Sequence, residues 1–281
     1  MIVIRLSSGM GNQLFMYAFY LYIKKKYESE EVYFDDKYYK SDSFGRKAEL
    51  SILFPDYPVW KFKFNPAGEL KFRRILFGWK QRLFPSFQYV KEKDYNDNLH
   101  YKGNVYFDGY WQTEKYIHNI DISDFTPKEF LPDVLIPYAN YISQATNAVS
   151  IHFRRTDYFS PKYIHRFGVC TDVYYQKAME SIESVINKPI YFVFSDDLEW
   201  VKDNIHFNAE YILIPNFDVN PFWYIHLMSK CKHHIISNST FSWWGAFLNP
   251  YKDKMVMAPN RWLLDSNETI VLNEWNKIDV K

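Results

Sequence analysis

Short apolar runs closed by glycine, proline or small polar residues recur along this chain. Residues 2–6 (Ile-Val-Ile-Arg-Leu) run into Ser7-Ser8-Gly9-Met10-Gly11, a strand entering a glycine-containing turn. Residues 12–26 then set Leu14, Phe15, Ala18, Leu21 and Tyr22 near helical spacing and close on three lysines, a favourable helix C-terminus. Residues 31–35 read as a second strand, so the chain opens β-turn-α-β, the start of an α/β unit. The stretch 41–98, with Pro55, Pro58, Pro66 and Pro85 among many aromatics, yields no clear pattern. Residues 104–110 predict another strand. The proline-containing stretch 127–143 marks a boundary, which gives domains 1–143 and 144–281. Beyond it the rhythm restarts. Strands are predicted at 148–153, 189–195, 211–214, 234–237 and 254–258, and helices at 172–186, 198–204, 221–230 and 241–248. Strands alternating with helices predict an α/β fold with parallel sheets covered on both faces.

Composition narrows the classes. A chain of 281 residues and 34.0 kDa suits two domains and needs no disulfide or metal staple. Its 34 basic and 33 acidic residues leave a net charge of +1, which excludes a nucleic-acid coat and an acidic disordered chain. Aromatics reach 20%, a surplus that suits large cores, sugar-stacking surfaces or a membrane-facing edge. Cys170 and Cys231 read as buried free thiols of a reducing compartment. His233 and His234 follow Cys231 without a second ligand pair, so no zinc site is expected. The opening residues lack a basic region and their apolar run is broken by Arg5; they read as no signal peptide, and a cytoplasmic protein is the simplest expectation. Residues 61–82 carry Lys61, Lys63, Lys71, Arg73, Arg74, Lys80 and Arg82 against the single acid Glu69, with aromatics between. They read as a solvated helical face, or as an interfacial helix that holds the protein at an anionic membrane surface.

Chemistry is expected where the strands end, because open parallel sheets bind ligands at their carboxyl edges. Four polar clusters fall there: Gly9-Met10-Gly11-Asn12-Gln13, His152 to Asp157, Ser195-Asp196-Asp197, and Ser237-Asn238-Ser239-Thr240. Adjacent arginines at a strand end suit a phosphate or pyrophosphate. Strand alternation sends Arg154 and Arg155 to opposite sides, and Arg154 shares a side with His152. The Ser-Asn-Ser-Thr run precedes a helix, where hydroxyls and free N–H groups make either an anion site or an N-cap. Asp196-Asp197 suits capping, sugar binding or pairing with Arg154, and the absence of a D-x-D triplet argues against a metal. The first loop matches half of a dinucleotide fingerprint, with Leu14 where the third glycine would stand.

These residues carry a resemblance. Ser8 to Phe15, Asp108 to Tyr116, Ser150 to Tyr158, Gly168-Val-Cys with Tyr174-Tyr175, Phe194-Ser-Asp-Asp197, Leu227 to His234 and Asn238 to Gly245 resemble, in order, the motifs of the α-1,2-fucosyltransferases of glycosyltransferase family 11. The resemblance implies a GT-B fold of two facing Rossmann-like domains, the N-terminal one on the acceptor side and the C-terminal one binding GDP-sugar, with the last residues packing back on the first. It implies inverting, metal-independent transfer of L-fucose from GDP-β-L-fucose to the 2-hydroxyl of a terminal β-galactoside, without a cofactor. Bacterial members mostly build O-antigen and other surface glycans, many on lipid-linked acceptors at the inner face of the membrane.

The same resemblance implies roles. Arg154 holds the diphosphate and is the catalytic residue, and His152 lies close to the nucleotide. Asn238, Ser239 and Thr240 support the phosphates, and Asn12 of the first loop reaches the donor from the opposing domain. Gly11, Arg155, Asp157, Ser195 and Asp196 complete the expected donor set. Asp108, Trp111 and His118 are acceptor-side candidates, Asp108 and His118 also for the general base. Trp223, Trp243 and Trp244 suit core packing or an acceptor platform. Ser8, Met16 and Thr156 depart from the family pattern, which has glycine, glutamine and glycine there. Tyr224 stands where an acid often grips guanine, which makes Asp218 the alternative. The rival readings are a transferase of different linkage or donor sugar and a noncatalytic GDP-sugar-binding module.

Overall fold

The computed structural model describes residues 1–61, 87–98, 101, 103–118 and 120–280; the basic-aromatic segment 61–82 lies outside them apart from the exposed Lys61. The chain divides into two compact units, Met1–Lys128 and Glu129–Lys281.

The first unit is built on a parallel sheet in the order β2-β1-β4-β3. Its strands are β1 (Ile2–Arg5), β2 (Val32–Asp35), β3 (Phe87–Lys91) and β4 (Asn104–Asp108). Helix α1 (Met10–Lys26) crosses from β1 to β2 and buries most of its length. The aromatic surplus is spent here on packing. Phe19 of α1 stacks on Trp111 at 3.8 Å and meets Phe107 and Tyr116 edge-on. A four-residue helix α2 (Glu114–Ile117) closes this side, N-capped by Thr113. Strand β3 was not evident in the sequence, since it is an edge strand in the proline-rich stretch.

The second unit holds a six-stranded sheet in the order β10-β9-β8-β5-β6-β7, parallel at every pairing. Its strands are β5 (Ala148–Phe153), β6 (Ile190–Ser195), β7 (Glu210–Leu213), β8 (His233–Ile235), β9 (Val256–Pro259) and β10 (Asn276–Ile278). Every residue of β5 is buried, as a central parallel strand requires. Alternation sends Val149, Ile151 and Phe153 into one core with Tyr174, Tyr175, Ala178 and Ile182. Helix α3 (Ile136–Gln144) precedes β5, and helix α4 (Asp172–Glu183), which carries those four residues, follows it. Helices α5 (Leu198–Asn204), α6 (Phe222–Lys230) and α7 (Thr240–Phe247) follow β6, β7 and β8.

The unit boundary falls before residue 143. The prolines of the 127–143 stretch read as a linker, but Pro137 occupies the first turn of α3, where its missing N–H costs nothing and its fixed φ suits a helix. That helix packs on α6 of the second unit. Trp223, Trp243 and Trp244 are at most 3% exposed. They are core residues, and the indole N–H of Trp243 donates to the Ile270 carbonyl at 2.7 Å.

Helices α6 and α7 approach closely at Gly245, where an added Cβ would lie 2.7 Å from the Met228 Cβ and 3.0 Å from its sulfur. Gly245→Ala is expected to cost about 1–3 kcal/mol through overpacking, read as a lower urea midpoint at unchanged slope.

Candidate active site

The carboxyl ends of β5 and β8 lie side by side in the second unit, and buried tyrosines hold them. The Tyr175 hydroxyl donates to the His152 carbonyl at 3.0 Å, and the Tyr174 hydroxyl donates to the Ile236 carbonyl at 2.5 Å. Backbone carbonyls that leave a sheet in the core need such partners. Both tyrosines sit in the first turn and a half of α4, so one helix braces two strand ends.

His152 is 5% exposed and its Nδ1 lies 2.9 Å from the Ser237 hydroxyl. Burial pushes its pKa from 6.5 down to about 3; Asp196 opposes that shift and the positive Arg154 adds to it. The imidazole is therefore neutral near pH 7. Beside it the Arg154 guanidinium pairs with Asp157 at 2.8 Å and with Asp196 at 3.0 Å, and rests 5.3 Å from the Tyr158 ring centre. The geometry thus brings His152, Arg154, Asp157, Asp196 and Ser237 together.

Arg155 goes elsewhere. Its guanidinium lies between the rings of Phe159 and Trp200, at 3.7 and 3.6 Å from their centres. It packs as a cation–π filler between those rings. Ser195 is buried, and its hydroxyl accepts from the Asp197 N–H at 2.9 Å. Asp197 caps α5 by accepting from the Trp200 N–H at 3.0 Å, a capping use the sequence had offered. Asn238 is 2% exposed and its amide donates to the carbonyls of Phe167 and Trp262. Its amide nitrogen is thus a tie between two loops, while Ser239 caps α7 at the Phe241 N–H and Thr240 opens that helix.

Tyr224 also has a defined task. Its hydroxyl accepts from the Phe217 N–H at 2.6 Å and donates to the Pro215 carbonyl at 3.1 Å. It fastens the loop that follows β7, on which Asp218 is exposed. A second tie, from Asn216 Nδ2 to the Ser195 carbonyl at 3.0 Å, fixes the same loop to the end of β6.

In the first unit, Gly11 is buried in the first turn of α1. Asn12 donates to the Ser8 hydroxyl at 2.8 Å and accepts from Gln112 at 2.7 Å. Ser8 adopts a left-handed φ of 67°, a conformation that glycine takes without strain. Asp108, at the end of β4, pairs with Arg5 at 2.9 Å and accepts from the Tyr89 hydroxyl. Trp111, an acceptor-side candidate by sequence, is fully buried against Phe19 and completes a core. His118 is exposed at the end of α2, and no contact joins it to Asp108. Sequence reasoning missed Arg46, which forks onto Asp42 and also reaches Ser8 and Tyr38; nothing in the local spelling around Arg46 signals that contact.

Among the described residues no group of three or more His, Cys, Asp or Glu stands where it could hold a metal ion. Both cysteines are free and buried, and burial raises their thiol pKa values. No helix among the described residues is long and apolar enough to cross a membrane.

Known proteins supply the class. The chain is similar to the fucosyltransferase NodZ from Bradyrhizobium over 89% of its own length and 93% of that chain, with 10% identity and a TM-score of 0.55. That likeness bears on fold alone, and the fold is of the GT-B glycosyltransferase type. In sequence, the chain is 31% identical to the Escherichia coli protein named alpha-1,2-colitosyltransferase, covering 93% of this chain and 92% of the relative. It is 28% identical to the E. coli O-antigen biosynthesis glycosyltransferase WbnK, covering 96% and 98%. The family model described as Glycosyl transferase family 11 matches residues 68–279. The chain belongs to glycosyl transferase family 11.

The buried histidines make stability depend on pH. Burial holds His152 at about 3, His226 at about 4 and His234 well below 6.5. Each takes up a proton in the unfolded chain as pH falls through 6.5 but resists it when folded. Their contribution is present above 6.5 and is lost as pH falls toward 4, at up to about 1.4 kcal/mol per pH unit for each group. In urea melts between pH 7 and pH 5, His152→Gln is expected to show a shallower loss of stability than the parent. An equal slope overturns the neutral assignment.

Proposed function

We propose that this chain transfers L-fucose from GDP-β-L-fucose to the 2-hydroxyl of a terminal β-galactoside in a bacterial surface glycan, with inversion and without a metal or cofactor. The observation that carries the reading is the Arg154 guanidinium at the end of β5, beside a neutral His152 and near a helix capped by Ser239, in a chain of family 11. Breaking the fucosyl–phosphate bond leaves negative charge on GDP while the sugar becomes oxocarbenium-like. A guanidinium and helix N-terminal donors are the groups that stabilise such charge. A neutral imidazole beside them adds no competing charge.

In this reading Ser239 and Thr240 act with Arg154 on the phosphates, and Asp157 and Asp196 orient the guanidinium. Asn12 and Gly11 belong to the donor side of the first unit, and Asp108 to the acceptor. The exposed Asp218 suits the N–H edge of guanine, on the loop that Tyr224 fastens. The natural acceptor is a glycan, lipid-linked in the cytoplasm, with peripheral membrane contact through residues 61–82. One observation favours a second donor: a relative of 31% identity is named for colitosyl transfer, so colitose is the rival sugar.

The first test is a GDP-release assay with EDTA present. GDP-fucose and GDP-colitose are offered in turn with lactose, with a β-1,3-galactosyl acceptor or with none, and the linkage is read by NMR. Acceptor-dependent release with an α-1,2-fucosyl product is expected. Release only from GDP-colitose, or only after a divalent metal is restored, overturns the donor or the metal-free assignment. Arg154→Ala is expected to lose about 10²–10³-fold in rate; near-normal turnover sinks its role. Neutralising Arg73, Arg74, Lys80 and Arg82 together is expected to abolish binding to anionic vesicles and to spare transfer to a soluble acceptor. A parent chain that ignores such vesicles overturns the membrane contact.

A further inference from the structure

Asp196 is the first residue beyond β6, beside the turn that leaves β5; Phe153 and Ser195 are partners in register. One of its oxygens, Oδ1, accepts from the Arg155 N–H at 2.8 Å. The other, Oδ2, accepts from the Thr156 hydroxyl at 2.6 Å and lies 3.0 Å from Arg154 Nη1. The far nitrogen of the same guanidinium, Nη2, sits 2.8 Å from Asp157. A single carboxylate thus takes donors from three consecutive residues, and Arg154 and Thr156 share one oxygen of it.

This sharing matters if Arg154 is to hold a diphosphate, as the preceding reading has it. The guanidinium is engaged by two carboxylates, so an incoming phosphate must draw it partly away from Asp196. A carboxylate that loses a charged partner keeps its desolvation cost. Here the Arg155 N–H and the Thr156 O–H stay on Asp196 when Arg154 turns. Without the hydroxyl, Oδ2 would have Arg154 alone and would hold it against the phosphate.

We propose that Thr156 is a positioning residue: its hydroxyl keeps Asp196 hydrogen-bonded and thereby releases Arg154 to the donor diphosphate, setting donor affinity. The role rests on the reading of Arg154 as the diphosphate ligand.

The experiment is calorimetric titration with GDP, alongside steady-state kinetics in GDP-fucose and a thermal melt of each variant. Thr156→Val keeps the shape and removes the hydroxyl. Its GDP Kd and donor KM are expected to rise about tenfold, the usual size for one hydrogen bond to a charged group, with little change in kcat. Thr156→Ser is expected to restore parental binding, which a purely structural role for the methyl-bearing side chain would not. Where the valine variant fails to fold, Thr156→Ala reports the same loss. A folded hydroxyl-free variant that binds GDP as the parent does overturns the role of Thr156, as does a serine variant as weak as valine. A parent chain that binds no GDP overturns the nucleotide-sugar reading itself, and this role with it.

Discussion

The candidate site depends on how a parallel sheet ends. Where β5 and β8 run out of the second unit's sheet, the carbonyls of His152 and Ile236 lie in a protein core and need donors. Two neighbouring tyrosines of one helix, Tyr174 and Tyr175, supply hydroxyl donors to those carbonyls from below. That leaves the residues just beyond, His152 to Asp157 and Ser237 to Thr240, free to turn together above the sheet. If either hydroxyl were missing, a buried carbonyl would have to find another partner and the turn would move with it. Tyr175 also meets the Arg154 backbone N–H, so the start of that turn is held by the same hydroxyl.

Charge is handled with the same economy of partners. Arg154 pairs with two carboxylates, Arg155 lies between aromatic rings, and His152 is neutral through burial. The first unit repeats the pattern: Arg5 pairs with Asp108 at its own strand ends, and Arg46 with Asp42 in the loop beyond β2. Partly exposed pairs of this kind add little to stability. They hold polar side chains in fixed directions, which is what recognition of a polyhydroxylated, charged substrate requires.

Much of the second unit was legible in its sequence because a buried parallel strand has little choice of residues. The run Ala148 to Phe153 could hardly be anything but a central strand, and its alternation already separated the His152 side from the Phe153 side. The motif strings His152 to Asp157 and Ser237 to Thr240 fall at the ends of neighbouring strands. Alternation set Arg154 on the His152 side; what stayed hidden was where Arg155 goes, because the rings of Phe159 and Trp200 that take it lie elsewhere in sequence. Trp111 read as an acceptor-side candidate because an aromatic beside a strand end looks the same whether it faces solvent or Phe19. Asn238 read as a phosphate group, although its partners, Phe167 and Trp262, lie far along the chain on either side. Long-range pairing of this sort leaves no periodicity. The helix Ile136–Gln144 was lost differently: its opening proline is as good a helix start as it is a linker sign.

One buried chain of polar groups bears on how active sites are sought by shape. Ser150, His234 and Asn249 lie in line, with spacings of 2.7 and 2.6 Å, close to the distances of a catalytic triad although an amide stands where an acid would. The direction of the protons excludes it. The Asn249 amide nitrogen also donates to the Cys231 carbonyl at 2.6 Å and its oxygen accepts from the Tyr251 N–H, so it presents a donor to His234 Nε2. The imidazole proton then sits on Nδ1 and points at the Ser150 oxygen, the reverse of what would make that oxygen a nucleophile. With His234 wholly buried, no ester could reach it either. This line of polar side chains is here a strut between two strands, and proton polarity tells the strut from a catalyst where distance alone does not.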